Sequence, residues 1–106
     1  MSISALGSGL SGLLGYQAAL DSSAHNIANA NTGGFTPEQA SFNENATGGV
    51  IVSLSHGSNT APSDPSGTDL TTEMVHSIQY QAGFNINAQV VKTADQVLGT
   101  LVNIKA

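Results

Sequence analysis

Apolar residues at Ile3, Leu6, Leu10, Leu13, Leu20 and Ile27, with Gln17 and Ala24 filling the remaining steps, advance along the chain by alternating threes and fours. That rhythm predicts one helix over 3–29 whose a/d positions form a packing seam. A second pattern runs from 69 to 104. Val75, Ile78, Ala82, Ile86, Val90, Ala94, Val97, Leu101 and Ile104 recur at about 3.6 residues, and Tyr80, Phe84, Val91 and Leu98 form an adjacent strip. One partner helix cannot cover both strips, so apolar surface is expected to remain for neighbours. Thr68 or Asp69 is placed to cap the helix start, Glu73 suits its positive end and Lys105 its negative end.

The two helical patterns differ in intrinsic strength. Gly7, Gly9, Gly12 and Gly15 fall inside the first, and each costs about 0.8–1 kcal/mol relative to Ala in a helix interior. A clean apolar stripe on a weak helix-former becomes helical mainly when another surface covers it. The small-residue spacing Gly7, Ser11, Gly15 points to close helix packing.

Between the helices, residues 36–68 are rich in Ser, Thr, Asn, Gly and Pro, interrupted by the apolar run Val50, Ile51, Val52 and Leu54. A short strand at 50–54, or a hairpin containing it, is expected, with the stretch 60–67 read as an exposed, flexible connection. The predicted fold is therefore all-α: long N- and C-terminal helices paired as a helical hairpin or coiled coil. Its parts are a helix with its Asn/Gly end over 1–35, the loop 36–68 and the second helix over 69–106, all in one domain.

The first helix ends in Asn26-Ile27-Ala28-Asn29-Ala30-Asn31-Thr32-Gly33-Gly34-Phe35. Asn and Gly accept the left-handed backbone conformation that stops a helix, and Asn and Thr side chains can bind its last unpaired backbone groups. The spelling Asn26-Ile27-Ala28-Asn29, Thr32, Gly34-Phe35 closely resembles the N-terminal signature of flagellar basal-body rod and hook proteins, the axial family of the bacterial flagellum. A second spelling resembles the C-terminal end of the same family: Asp69-Leu70, Glu73-Met74-Val75, Ile78, Gln81, Phe84, Asn87-Ala88, Val91, Thr93-Ala94-Asp95 and Leu98-Gly99-Thr100-Leu101. The length of the middle segment fits a proximal-rod-like or reduced member.

That resemblance implies a structural subunit of the basal-body rod whose two ends pair into an inner coiled-coil layer upon polymerisation. Its implied partners are other copies of itself, other flagellar axial proteins and the flagellar type III export apparatus, with export without a cleaved signal and assembly across the periplasm. The residues it assigns to subunit packing are Asn26, Asn29, Thr32 and Phe35, together with the stripe positions of both helices. The alternative from the residues alone is a small soluble helical-hairpin module that binds a partner helix without forming a filament.

Composition removes other classes. Only 8% of residues are charged, Lys92 and Lys105 are the only strong bases, and the formal charge is −5, which excludes phosphate-neutralising nucleic-acid binding. There is no cysteine for a disulfide or thiolate site. Residues 1–20 carry no charged side chain, but four serines, Gln17 and four glycines dilute the run below a stable membrane span, and no basic segment opens it as a secretory signal would.

No cofactor or metal is expected. His25, His56 and His76 show no ligand spacing, and the carboxylates are scattered except Asp69 and Glu73, whose place at a helix start marks capping. Gly7-Ser8-Gly9-Leu10-Ser11-Gly12 spells a dinucleotide glycine pattern without the strand that must precede it. No arrangement of residues suggests an enzyme.

Overall fold

The computed structural model describes residues 2–46, 48–57 and 60–105, with the side chains of 2, 3 and 101–105 outside that description. Four elements follow in order: α1 (Ser2–Ala28), β1 (Glu38–Glu44), β2 (Val50–His56) and α2 (Leu70–Lys105). Both helices lie within a residue or so of their predicted bounds. The loop holds more structure than a lone strand. β1 and β2 pair antiparallel over their full length, Glu38 opposite His56 and Glu44 opposite Val50, so the molecule is mostly helical with a two-stranded sheet rather than all-α.

The chain folds back on itself twice. From the end of α1, β1 runs back along that helix until Val50, at the start of β2, donates its N–H to Ser11 Oγ (3.1 Å). β2 then returns, and α2 starts beside the end of α1 and runs the opposite way, so that Ser23 meets Glu73 and Gly9 meets Val91. The result is a rod-like body of 67 × 24 × 15 Å. The hairpin turn uses Gly48 and Gly49 at φ of 100° and 87°, where residues with a Cβ are strained.

The contact between the helices is not the leucine seam. The buried positions of α1 are Gly9, Gly12, Gly15, Ala19, Ser22, Ser23 and Asn26, a stripe of small and polar residues about a third of a turn away from the predicted one. Absent side chains make room for α2 and the sheet. A Cβ on Gly9 would stand 2.8 Å from Val91 Cγ2, one on Gly12 would collide with the Asn87 carboxamide, and one on Gly15 would stand 3.0 Å from Val52 Cγ2. In the reverse direction, Gly83 of α2 receives the face of the Tyr16 ring. The coiled-coil expectation is therefore not confirmed: close backbone approach places the small stripe inward, with Leu6, Leu13, Leu20 and Ile27 half-buried at its flanks and Leu10 exposed.

Three rings tie the layers together. Tyr16 lies 4.8 Å from Phe42 and 6.4 Å from Tyr80, centroid to centroid, and Phe42 lies 5.9 Å from Tyr80. These spacings suit tilted aromatic packing. Phe42 shares its sheet face with Ala40 and with Val52 and Val50 across the hairpin, the alternate positions that are less exposed.

The segment read as a flexible connection is anchored. Gly34 donates its N–H to Asp64 O (2.8 Å), Gly67 to Phe35 O (2.9 Å) and Thr60 to Thr36 Oγ1 (2.9 Å). Gly34 has φ of 78°, and a Cβ there would also meet Pro62 Cα at 2.9 Å.

The glycines of this fold thus divide into two kinds with opposite responses to substitution. Gly83→Ala is expected to lower stability by about 1–3 kcal/mol through collision with Tyr16. Gly7→Ala and Gly99→Ala, where a Cβ meets nothing within 4 Å, are expected to raise it by about 0.5–1 kcal/mol. Thermal denaturation followed by circular dichroism checks both signs.

Candidate functional site

Two regions combine unusual chemistry with exposure: a polar junction at one end of the molecule and an apolar surface along its length. The junction forms where α1 ends, β1 begins and α2 starts. Asn26, 1% exposed, is its centre. Its Oδ1 accepts the Glu38 N–H (2.8 Å), and its Nδ2 donates to Glu38 O (2.8 Å) and to Glu73 Oε2 (2.8 Å). The carboxamide thus meets the backbone of β1 on both sides as a neighbouring strand would, while neutralising part of the desolvation cost of a carboxylate that is 8% exposed.

Ser23 adds the next layer, donating to Glu73 O (3.1 Å) and sharing a hydrogen bond with Ser77 Oγ (2.9 Å). Glu73 Oε1 lies 3.6 Å from His76 Nδ1. Tyr80, close by, has its phenol pushed above its ordinary pKa by burial and, secondarily, by the Glu73 charge. The cleft at this junction, ≈ 400 Å³, is lined by these groups with Asp69, Thr72 and Gln39. Asn26, Ser23 and Glu73 join the three elements here. Among the described residues, no three His, Asp or Glu side chains converge as metal ligands.

The neighbouring polar residues serve helix ends. Asn29 Nδ2 donates to His25 O (2.9 Å), and Thr32 Oγ1 donates to Asn29 Oδ1 (3.1 Å) as the chain leaves α1. Phe35 packs edge-on against His25 at 5.4 Å. At the start of α2, Asp69 accepts from Thr72 N (3.3 Å) and from Thr72 Oγ1 (3.0 Å), the cap predicted there. The hydroxyl bond and then the amide bond from Thr72 hold the Asp69 carboxyl below its ordinary pKa.

The second region is defined by what the fold leaves uncovered. Ala19 and Ala94 are the buried hydrophobic residues among those described, whereas Leu10, Leu14, Val75, Ile78, Ile86, Val90 and Val97 are all at least 40% exposed. On α2 Tyr80, Phe84, Val91 and Leu98 are half-buried and Ala94 is buried, Val90 reaches Gly9 of α1 while remaining partly exposed, and Val75, Ile78, Ala82, Ile86 and Val97 are exposed. The surplus strip expected from the sequence is this exposed set.

Of the other assigned packing residues, Leu6, Leu13, Leu20 and Ile27 are half-buried on the flanks of α1, Asn29 and Phe35 are half-buried and Thr32 is exposed. Ile3 and Leu101 lie outside the residues whose side chains are described. Asn26 is spent within the chain. Tyr16, Phe42, Ser23 and Glu73 are central here and were not assigned a packing role; for Phe42, its place in a polar run opposite Val50–Leu54 was the available signal.

Comparison with known proteins gives this surface a context. Residues 65–104 match the family model of the flagellar basal body rod FlgEFG protein C-terminal segment. The flagellar hook protein FlgE of Escherichia coli (strain K12) is 45% identical over 42 residues, 40% of this chain and 10% of that protein. FlgE of Salmonella typhimurium shows the same identity and coverage. The stretch matched to FlgE thus spans about a tenth of the relatives' length, and the family-model match at 65–104 takes in nearly all of α2.

Two outcomes test the junction. Asn26→Asp is expected to destabilise the protein by about 2–4 kcal/mol at neutral pH, because it replaces a donor to Glu73 with a second carboxylate. Denaturant unfolding measures the loss. At Asp69 the folded pKa is depressed, so its capping contribution is complete above the ordinary carboxylate pKa of about 3.9 and is lost as pH falls through the depressed value. Fraying of residues 70–73, followed by amide exchange, should follow that direction and be absent in Asp69→Asn.

Proposed function

We propose that this chain, whose residues 65–104 match the family model of the flagellar basal body rod FlgEFG protein C-terminal segment, belongs to the flagellar rod and hook family and is a non-enzymatic structural subunit of the flagellar axis. The observation that carries the reading is the coincidence of two facts: the family-matched segment 65–104 takes in nearly all of α2, and α2 keeps Val75, Ile78, Ile86 and Val97 exposed. A fold with so little buried apolar surface gains most of its stabilisation by covering that strip with other subunits. Its partners are other copies and other axial proteins, and its place is the rod, where assembly supports motility.

The polar junction supports the same reading from the other side. It locks the loop end of the molecule internally, so the far halves of both helices present a fixed surface to neighbours. Delivery by the flagellar type III apparatus without a cleaved signal belongs to this proposal.

An epitope-tagged chain should co-purify with detergent-extracted basal bodies and remain after removal of the filament. Leu13→Asp and Ile78→Asp should express yet fall below about a tenth of wild-type incorporation, since each sets a charge where assembly buries apolar surface. A tagged wild-type chain absent from intact basal bodies overturns the proposal.

A further inference from the structure

We infer that the cleft at the junction of α1, β1 and α2 takes an arginine side chain presented by a different protein. The axial-subunit reading neither requires nor supplies this site.

Ser22 separates this cleft from a packing gap. It lines the wall and is only 5% exposed, yet its hydroxyl forms no hydrogen bond with any described residue. Its neighbour Ser23, by contrast, pairs with both Glu73 and Ser77. A buried hydroxyl without a partner is costly to leave so, and a ligand entering the cleft can supply that partner.

Glu38 is a second unspent group. Asn26 takes up its backbone, while its half-buried carboxylate, also in the cleft wall, has no hydrogen bond or ion pair with a described residue. Glu73 gives Oε2 to Asn26, and its Oε1 stands 3.6 Å from His76 Nδ1, too far for a hydrogen bond. With Asp69, three carboxylates line the cleft against His76 as its one basic side chain. Such a site favours a cation carrying several donors.

A guanidinium meets that description better than an ammonium. Its five N–H donors form a planar fork that can serve acceptors on Ser22, Glu38 and Glu73 together, whereas an ammonium offers three donors from one point. It is also more weakly hydrated and stacks on aromatic rings, and Tyr80 stands in the wall. The volume of ≈ 400 Å³ exceeds what a guanidinium alone fills and suits a whole side chain. Gln39 and Thr72, both exposed and lining the same cleft, are placed to bond the backbone that presents it.

The chain cannot fill this site itself. It has no arginine, so a second copy cannot bring one either. Lys92 stands 19 residues along α2 from Glu73, about 28 Å at the rise of a helix.

The test titrates the ¹⁵N-labelled full chain at neutral pH with the capped peptide acetyl-Gly-Arg-Gly-amide, following amide shifts of residues 22, 38 and 73. Saturable shifts with a millimolar Kd are expected. The same peptide with citrulline, neutral but alike in shape, should bind at least about tenfold more weakly, and the lysine peptide about threefold. Ethylguanidinium, which carries no backbone, should also bind about threefold more weakly than the arginine peptide. Glu38→Gln and Ser22→Ala, verified as folded by circular dichroism, should each weaken the arginine peptide about five- to tenfold. Equal binding of the citrulline peptide overturns the inference, as do wild-type affinity in both variants and the lack of any saturable shift with the arginine peptide. Tighter binding of ethylguanidinium than of the peptide overturns the assignment to a protein partner and makes the ligand a free guanidino compound.

Discussion

Asn26 carries the constraint on which the architecture depends. A single carboxamide occupies both hydrogen-bonding groups of Glu38 and one oxygen of Glu73, thereby fixing where the sheet begins and how α2 enters relative to α1. A leucine at this point would leave a strand backbone pair and a buried carboxylate without partners, at a cost of several kcal/mol. Because the junction is made of polar groups, it holds the elements in register without using apolar area. The long apolar faces are thus released for other use.

Small residues accomplish the same economy along the shaft. Gly9, Gly12 and Gly15 let α2 and the hairpin approach the backbone of α1, so the intramolecular contact is held by close packing rather than by interdigitated leucines. The glycines that weaken α1 as an isolated helix are the ones that admit its partners. Intrinsic weakness and tertiary fit are one property seen at two levels, and they make helix formation in α1 contingent on covering its faces.

Much of this was legible in the sequence, with a consistent gap. Both helices, the Asp69 cap and the surplus apolar strip on α2 follow from periodicity and capping chemistry, which are local. The face of α1 that meets α2 does not. Hydrophobic periodicity marks which residues avoid water but not which partner covers them, and in α1 Leu10 and Leu14 stand exposed while Leu6, Leu13 and Leu20 are half-buried. The Asn26 network was hidden for a related reason. Asn26 in isolation reads as helix-end punctuation, and its partners Glu38 and Glu73 are separated from it by 12 and 47 positions. The hairpin expected around 50–54 forms, but its first strand could not be located because Glu38 to Glu44 holds only Ala40 and Phe42 as apolar members.

The division of labour between polar junction and apolar shaft explains how a chain of 106 residues remains ordered with so few buried hydrophobic groups. Hydrogen bonds and close backbone packing specify geometry, but their net stabilisation per contact is modest. Apolar burial supplies more, at about 25 cal/mol per Å², and here many large apolar side chains of the helices stand exposed. A subunit built this way is weakly committed to its fold when alone and strongly committed when surrounded. On the axial-subunit proposal, that ordering couples folding of the shaft to arrival at a growing end, where the missing surface is supplied.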